Sequence, residues 1–208
     1  MNPQTLAIVA LSALLAVWYV AGHLYNRRRG LRLHRWLTDG LDILGGEREE
    51  GWIGSPASGA RVNIVHANPP FRRLEVTLLL ENRENPLLWL RDHLRGRWDR
   101  ITIRATLRSP RRGEVRVRPG GRVDDQDELW TRQEGPHGLT VVYGDHSARP
   151  LVTALEPWLE AYGAHLNGFD WRKQDPHINL QLRIAGLQET RAETLLSDLG
   201  IALAVNER

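Results

Sequence analysis

The most regular hydrophobic pattern in the chain is an almost unbroken apolar run near its N-terminus, from Leu6 to Leu24. The run contains no Asp, Glu, Lys or Arg. At about 1.5 Å per residue, a helix of this length matches a hydrocarbon core roughly 30 Å thick. Trp18, Tyr19 and Tyr25 lie toward its C-terminal end, where aromatic rings favour the headgroup region. The pattern predicts a single transmembrane helix.

The charges that flank this run predict its orientation. The terminal amine is the only cation before it, whereas five arginines follow it: Arg27, Arg28, Arg29, Arg32 and Arg35. Because positive residues favour the cytoplasmic side, we expect a single-pass protein of the cell membrane, with its N-terminus outside and the remaining chain in the cytoplasm. A cleaved signal peptide fits less well, since the leading segment lacks Lys and Arg and the run is longer than a typical h-region.

A second hydrophobic pattern follows directly and predicts a short, separate amphipathic helix that ends at Gly45 and Gly46. Its apolar positions are Leu31, Leu33, Trp36, Leu37, Leu41 and Leu44. It either lies on the membrane surface, with Arg32 and Arg35 near phosphates and Trp36 in the interface, or packs on the following domain. The chain thus divides into an anchor (residues 1–26), a basic amphipathic juxtamembrane helix (27–46) and a cytoplasmic domain (47–208) that is expected to fold alone as a soluble monomer.

Beyond residue 47 the pattern changes to short strands mixed with helices. Alternation of polar and apolar positions predicts strands over residues 61–65, 73–80, 100–107, 114–118, 139–143 and 178–184, with brief ones at 52–53 and 129–130. Helices are predicted over 86–95, 148–166 and 190–199, and Pro157 should kink or divide the second. The simplest partner for strand 114–118 is strand 100–107, in a hairpin. This mixed order predicts an α+β fold, with a mainly antiparallel sheet and packed helices.

Arginine supplies nearly all of the positive charge, Lys173 being the only lysine. The stretch from Arg83 to Arg118 holds eleven arginines and four acidic residues, a net charge of +7. Strand alternation places Arg104, Arg116 and Arg118 opposite their apolar neighbours, so these three are candidate polyanion-binding residues. Such a surface suits anionic lipid or ribosomal RNA. The alternative is a solvated strand face that acidic neighbours balance.

The sequence contains no motif of a known catalytic chemistry. It has no phosphate-binding loop, no HExxH and no GxSxG. Without cysteine it has no disulfide and no thiolate metal site. Asp145 and His146, and the acidic residues from Asp124 to Glu128, lack the ligand spacing of known metal sites. We therefore expect a binding or assembly protein that is not an enzyme, with no cofactor, no metal and no small-molecule substrate.

Several short motifs follow one another in a characteristic order. They are the amphipathic stretch 31–46, Ser58-Gly59-Ala60-Arg61, the leucine-rich helix 85–95, the strand entry 99–103, the helix 151–166, Gly168-Phe169-Asp170, the strand 178–184 and the helix 190–199. This order resembles the calumin family, the single-span subunit of the PAT intramembrane chaperone complex. The sequence lacks the family's acidic lumenal segment and charged coiled-coil tail, so ribosome contact does not follow from the resemblance.

Anchor, basic face and resemblance together predict a non-enzymatic assembly or chaperone factor for membrane-protein biogenesis. The expected partners are the membrane itself, a translocon component or another integral membrane subunit, and anionic lipid or ribosomal RNA. Two other functions stay open at this point. The sequence is also compatible with an accessory subunit of another membrane complex. It is less compatible with a membrane-tethered hydrolase, because it has no catalytic motif.

Overall fold

The computed structural model describes residues 2–109, 113–120, 130–144 and 146–204. These residues form an α+β structure, as the sequence predicts. The helices are α1 (Pro3–Leu41), α2 (Pro86–Leu94), α3 (Arg149–Tyr162) and α4 (Ala192–Ala204). The strands are β1 (Glu47–Trp52), β2 (Gly59–Val65), β3 (Phe71–Leu79), β4 (Arg100–Leu107), β5 (Val115–Pro119), β6 (Thr131–Glu134), β7 (Leu139–Tyr143), β8 (Leu166–Trp171) and β9 (Ile178–Arg183).

Helix α1 is one uninterrupted element of 39 residues. It begins after Asn2, whose side chain accepts a hydrogen bond from the backbone N–H of Gln4. Pro3 suits the first turn, because its missing N–H would have no helical partner there. A short 3₁₀ turn, Asp42–Leu44, follows the helix, and Gly45 ends it with a φ of +57°.

The two halves of α1 have different surroundings. Among the described residues it is the one helix long and apolar enough to cross a membrane, and none of its most apolar 18-residue window is buried. The second half is instead part of the domain core, together with the turn that follows it; the buried leucines are Leu33, Leu37, Leu41 and Leu44. The prediction of a separate juxtamembrane helix over 27–46 is therefore wrong. Of its two alternatives, packing on the domain is the one observed.

The nine strands form one antiparallel sheet in the order β1-β2-β3-β4-β9-β8-β5-β7-β6. The predicted hairpin of β4 with β5 is wrong, because β9 occupies that edge of β4, with Leu180 opposite Ile103. Strand β5 pairs instead with β8 and β7. The connection between β4 and β5 therefore crosses two strands that come much later in the chain.

One face of the sheet carries the core. A row of directly paired residues crosses seven strands on this face and consists of Val62, Val76, Ile103, Leu180, Phe169, Val117 and Val141. All of them are buried, and they share one hydrophobic core with the apolar stripes of α1, α3 and α4. The fold therefore has two layers, with α1, α3 and α4 over one face of the sheet and polar residues on the other.

Several local features of the structure differ from the sequence-based predictions. Pro157 lies inside α3 without dividing it, since Trp158 and Leu159 just beyond it are buried in the core and hold the helix in place. Strands β1 and β6 were largely missed, because every residue in them is exposed and no apolar alternation marks them. The acidic stretch 124–128 and Asp145 lie outside the described residues.

Candidate functional site

The first candidate site is the junction between α1 and the domain. Trp18 donates its indole N–H to the carbonyl of Arg83 at 3.1 Å, and the Asn26 amide donates to the carbonyl of Glu81 at 2.8 Å. At Gly22 the helix and the loop touch directly, because a Cβ there would lie 2.2 Å from the carbonyl oxygen of Arg83. These contacts hold the loop between β3 and α2 against α1.

A cluster of buried charges lies next to this loop. Asp99, whose side chain is 4% exposed, accepts hydrogen bonds from Arg29 at 2.5 Å and from Arg83 at 2.9 Å. The backbone N–H of Glu81 donates to the same carboxylate at 2.8 Å, and the Glu81 side chain pairs with Arg83 at 2.8 Å. Arg29 belongs to α1 and Asp99 directly precedes β4, so this ion pair ties the helix to the sheet.

The pKa of Asp99 reflects this environment. Burial alone would raise the pKa of the carboxyl, but hydrogen bonds from Arg83 and from the Glu81 backbone, with the charges of Arg83 and Arg29, outweigh it and lower the pKa below its usual value. Asp99 is therefore ionised at neutral pH. Removing it would take from Arg29 the carboxylate that pairs with it, while Glu81 still pairs with Arg83. The cluster would then hold one uncompensated positive charge, which is costly where it is buried.

The six residues that are predicted to flank the membrane have different surroundings in the structure. Four are exposed on α1, and their contact with lipid stays a prediction: Arg27, Arg28, Arg32 and Arg35. Arg29 is instead held by Asp99. Trp36 packs against the core and donates its indole N–H to the carbonyl of Thr190 at 2.8 Å, so it belongs to the domain rather than to a membrane interface.

A groove with an apolar lining runs along the N-terminal half of α1, beside α2. Its volume is about 410 Å³, and its lining includes Leu14, Val17, Trp18, Ala21, Tyr25 and Trp89. The rings of Trp18 and Trp89 lie 5.8 Å apart at one side of it. The groove therefore opens at the level of the apolar run.

The second candidate surface is the sheet face opposite the core. The strand register places Arg104, Asn179, Asp170 and Arg116 in one row across β4, β9, β8 and β5. Arg118 lies two residues further along β5. The three predicted polyanion-binding arginines thus share one face, although two other strands separate Arg104 from the other two.

These arginines differ in how they are held. Arg118 donates to the Asp170 carboxylate and to the carbonyl of Phe169. The guanidinium of Arg116 lies over the ring of Trp130, 4.8 Å from its centre. Arg104 is 58% exposed, and its nearest acidic atom, on Glu75, is 3.9 Å away. Of the three, Arg104 is best placed to meet a phosphate, and polyanion binding stays a prediction.

We expect Arg118→Glu to destabilise the protein by about 3 kcal/mol or more, because it sets a second carboxylate against buried Asp170 and removes that residue's closest cation. Arg104→Glu, at an exposed position, should cost about 1 kcal/mol or less. Urea unfolding of the two variants measures the difference. Equal midpoints would show that the Arg118–Asp170 pair contributes no more than a surface contact.

Comparison with known proteins identifies no family, because no protein-family model matches the sequence and no curated protein matches it significantly. The resemblance to the calumin family therefore stays a prediction. Across the part of the chain that the structure describes, no group of three or more His, Cys, Asp or Glu is arranged to hold a metal ion.

Sequence reasoning missed the residues that build the junction. Asn26 and Asp99 are single polar residues; Asn26 belongs to no motif, and the strand entry 99–103 that contains Asp99 predicts no role for its side chain. The available signal was weak: Asn26 lies where the apolar run gives way to arginines, and Asp99 directly precedes a strand. Only the packing of the β3–α2 loop on α1 brings these two residues to the same arginine, Arg83.

Proposed function

We propose that this protein is a single-pass, non-enzymatic assembly or chaperone factor of the cell membrane. Its N-terminus lies outside, its domain lies in the cytoplasm, and it binds an integral membrane protein beside its anchor. The observation that carries the proposal is the continuity of α1, which runs from the apolar span into the domain core without a break.

The continuity of α1 supports a function in which the anchor holds the domain in a defined position, and not one in which it only keeps the domain near the membrane. A domain that needs only to stay near a membrane can hang on a flexible linker. Here Arg29 pairs with Asp99, and Trp18 and Asn26 bond to the β3–α2 loop, so the span and the domain form one rigid unit. Such coupling fixes the height and rotation of the groove relative to the domain, which a factor that holds a partner's transmembrane segment requires.

The groove is the surface that we assign to this partner. Helix association in lipid depends on close packing, because lipid tails are as apolar as the side chains. Leu14 and Val17 in the groove are 63% and 67% exposed. Ala21 lies further along the groove, before Tyr25, and its small side chain lets another helix approach closely. The partner is then a translocon component or another integral membrane subunit, and the exposed arginines of α1 are available to anionic lipid or ribosomal RNA.

The test is photo-crosslinking in native membranes, with a photoreactive residue at Leu14 in the groove. The control is Ala16, which lies about 200° around the same helix. We expect crosslinks from position 14, and few from 16, to several different integral membrane proteins, with the C-terminal domain protected from protease in sealed inside-in vesicles.

Three results would change the proposal. One constant partner outside the translocon in every preparation, with no other crosslinked protein, would make the protein an accessory subunit of a fixed complex. Equal crosslinking from positions 14 and 16 would show that the groove is not selective. Digestion of the domain from the outside would reverse the orientation and remove its cytoplasmic role.

A further inference from the structure

Helix α2 has an apolar face that no described part of the protein covers. Leu87, Leu90 and Leu94 are 77%, 48% and 77% exposed, and no residue of the helix is buried. Their spacing of three and four residues puts them on one side. The side chain of Asn85 accepts hydrogen bonds from the backbone N–H groups of Leu87 and Leu88, so the helix is properly capped.

The opposite side of α2 is held against α1 at a definite depth. Trp89 packs on Trp18 of α1, with the ring centres 5.8 Å apart. Trp18 lies six residues before Leu24, the last residue of the apolar run, and thus about 9 Å along the helix axis inside it. Interfacial helices bury their apolar face to about 5–10 Å, at the boundary between headgroups and acyl chains. The contact with Trp18 therefore fixes α2 at the depth that such helices occupy.

The charges around α2 suit the same position. Arg91, Arg95 and Arg97 are exposed on the last turn of the helix and just beyond it. Arg91 and Arg97 share Asp92, at 2.9 and 3.7 Å, so these four side chains carry a net charge of +2. Leucines on one side and arginines beside them form the pattern of a helix that lies on a membrane, where the cations meet phosphate groups. This charge complementarity favours lipid over an apolar protein surface as the occupant of the leucine face.

We propose that α2 is a second membrane-contacting element, with its Leu87–Leu90–Leu94 face buried in the bilayer interface at the arginine-rich end of the span. This inference rests on the membrane span proposed above. A single helix can tilt in a bilayer, whereas a second membrane contact beside it restricts that tilt. The two contacts together would therefore fix the angle between the domain and the membrane plane.

The absence of cysteine makes a clean experiment possible. Single-cysteine variants of the full chain, L87C and L94C, are spin-labelled and reconstituted into vesicles of phosphatidylcholine and phosphatidylglycerol. At each position the collision rate of the spin label with oxygen, which concentrates in lipid, is compared with its collision rate with a water-soluble nickel chelate. L11C is the control within the span. I201C is the matched control, because Ile201 is also an exposed apolar residue, on α4, which packs beside Gly40.

We expect labels at positions 87, 94 and 11 to favour oxygen and the label at 201 to favour the nickel chelate. Labels at 87 and 94 that favour the chelate, with position 11 still in lipid, would overturn the inference and leave the anchor intact. Labels at 87 and 94 shielded from both reagents would mean that protein covers the face, which also overturns it. If position 11 also favours the chelate, the proposed span itself fails.

Discussion

A fragment of residues 47–208 is expected to fail to fold cooperatively, whereas a fragment of residues 26–208 is expected to fold. The shorter fragment lacks four leucines that are between 1% and 6% exposed in the whole protein: Leu33, Leu37, Leu41 and Leu44. Truncating one such leucine costs about 2–5 kcal/mol. Typical domains have a free energy of unfolding of about 5–15 kcal/mol. The loss of all four leucines is therefore expected to remove roughly all of the stability of the domain. This expectation replaces the sequence-based one that the domain folds alone.

The measurement is urea unfolding of both fragments in a mild detergent, followed by tryptophan fluorescence and by circular dichroism. The detergent keeps the leucine face of α2 from driving aggregation. For 26–208 we expect coincident, cooperative transitions by both probes. Leu37→Ala in that fragment is the graded control and should lower stability by about 2–5 kcal/mol. A cooperative transition in 47–208 would show that the sheet, α3 and α4 make a sufficient core without α1.

The features that sequence reasoning found are those with a local signature. The apolar run of α1 needs no partner to be recognised. Asn85 before Pro86 marks the start of α2, because its side chain caps the helix, and β9 alternates between buried apolar residues and less buried polar ones. In each case the pattern and the structure depend on residues within a few positions of each other, so the sequence alone suffices.

The features that it missed depend on distant parts of the chain. The stripe of leucines in α1 shows that something buries it, but the pattern is the same whether lipid or a sheet does so. The alternation in strand β5 fits pairing with β4 and pairing with β8 equally well. The pairing with β8 follows only from the position of β9, which comes later in the chain and occupies the edge of β4. Asp99 becomes important through Arg29, 70 residues away, and no spacing rule reaches that far.

Asp99→Asn should reduce the stability of the protein by about 3–5 kcal/mol, the usual cost of removing one partner from a buried ion pair. The change preserves the shape of the side chain and removes the carboxylate that pairs with Arg29, while Arg83 keeps its pair with Glu81. The matched control is Asp92→Asn, since Asp92 also binds two arginines, Arg91 at 2.9 Å and Arg97 at 3.7 Å, but these are at the surface. That variant should lose about 1 kcal/mol or less. Unfolding of fragment 26–208 and its variants in urea compares them, and equal losses would show that burial adds nothing to the Asp99 pairs.

The stability difference between the wild-type fragment and Asp99→Asn is expected to depend on pH. The pKa of Asp99 is lowered in the folded protein, whereas an aspartate in the unfolded chain titrates near its ordinary value of about 3.9. Asp99 therefore binds a proton less tightly in the folded state than in the unfolded state. The stability that the Asp99 carboxylate contributes is fully present above the pKa of the unfolded state and is lost as pH falls through the pKa of the folded state. Between pH 6 and pH 3, roughly, the wild-type fragment should lose more stability than Asp99→Asn, so that the gap between them narrows. A gap that stays constant over this range would mean that the carboxylate charge does not hold α1 to the sheet, and that the loss in the variant comes from packing alone.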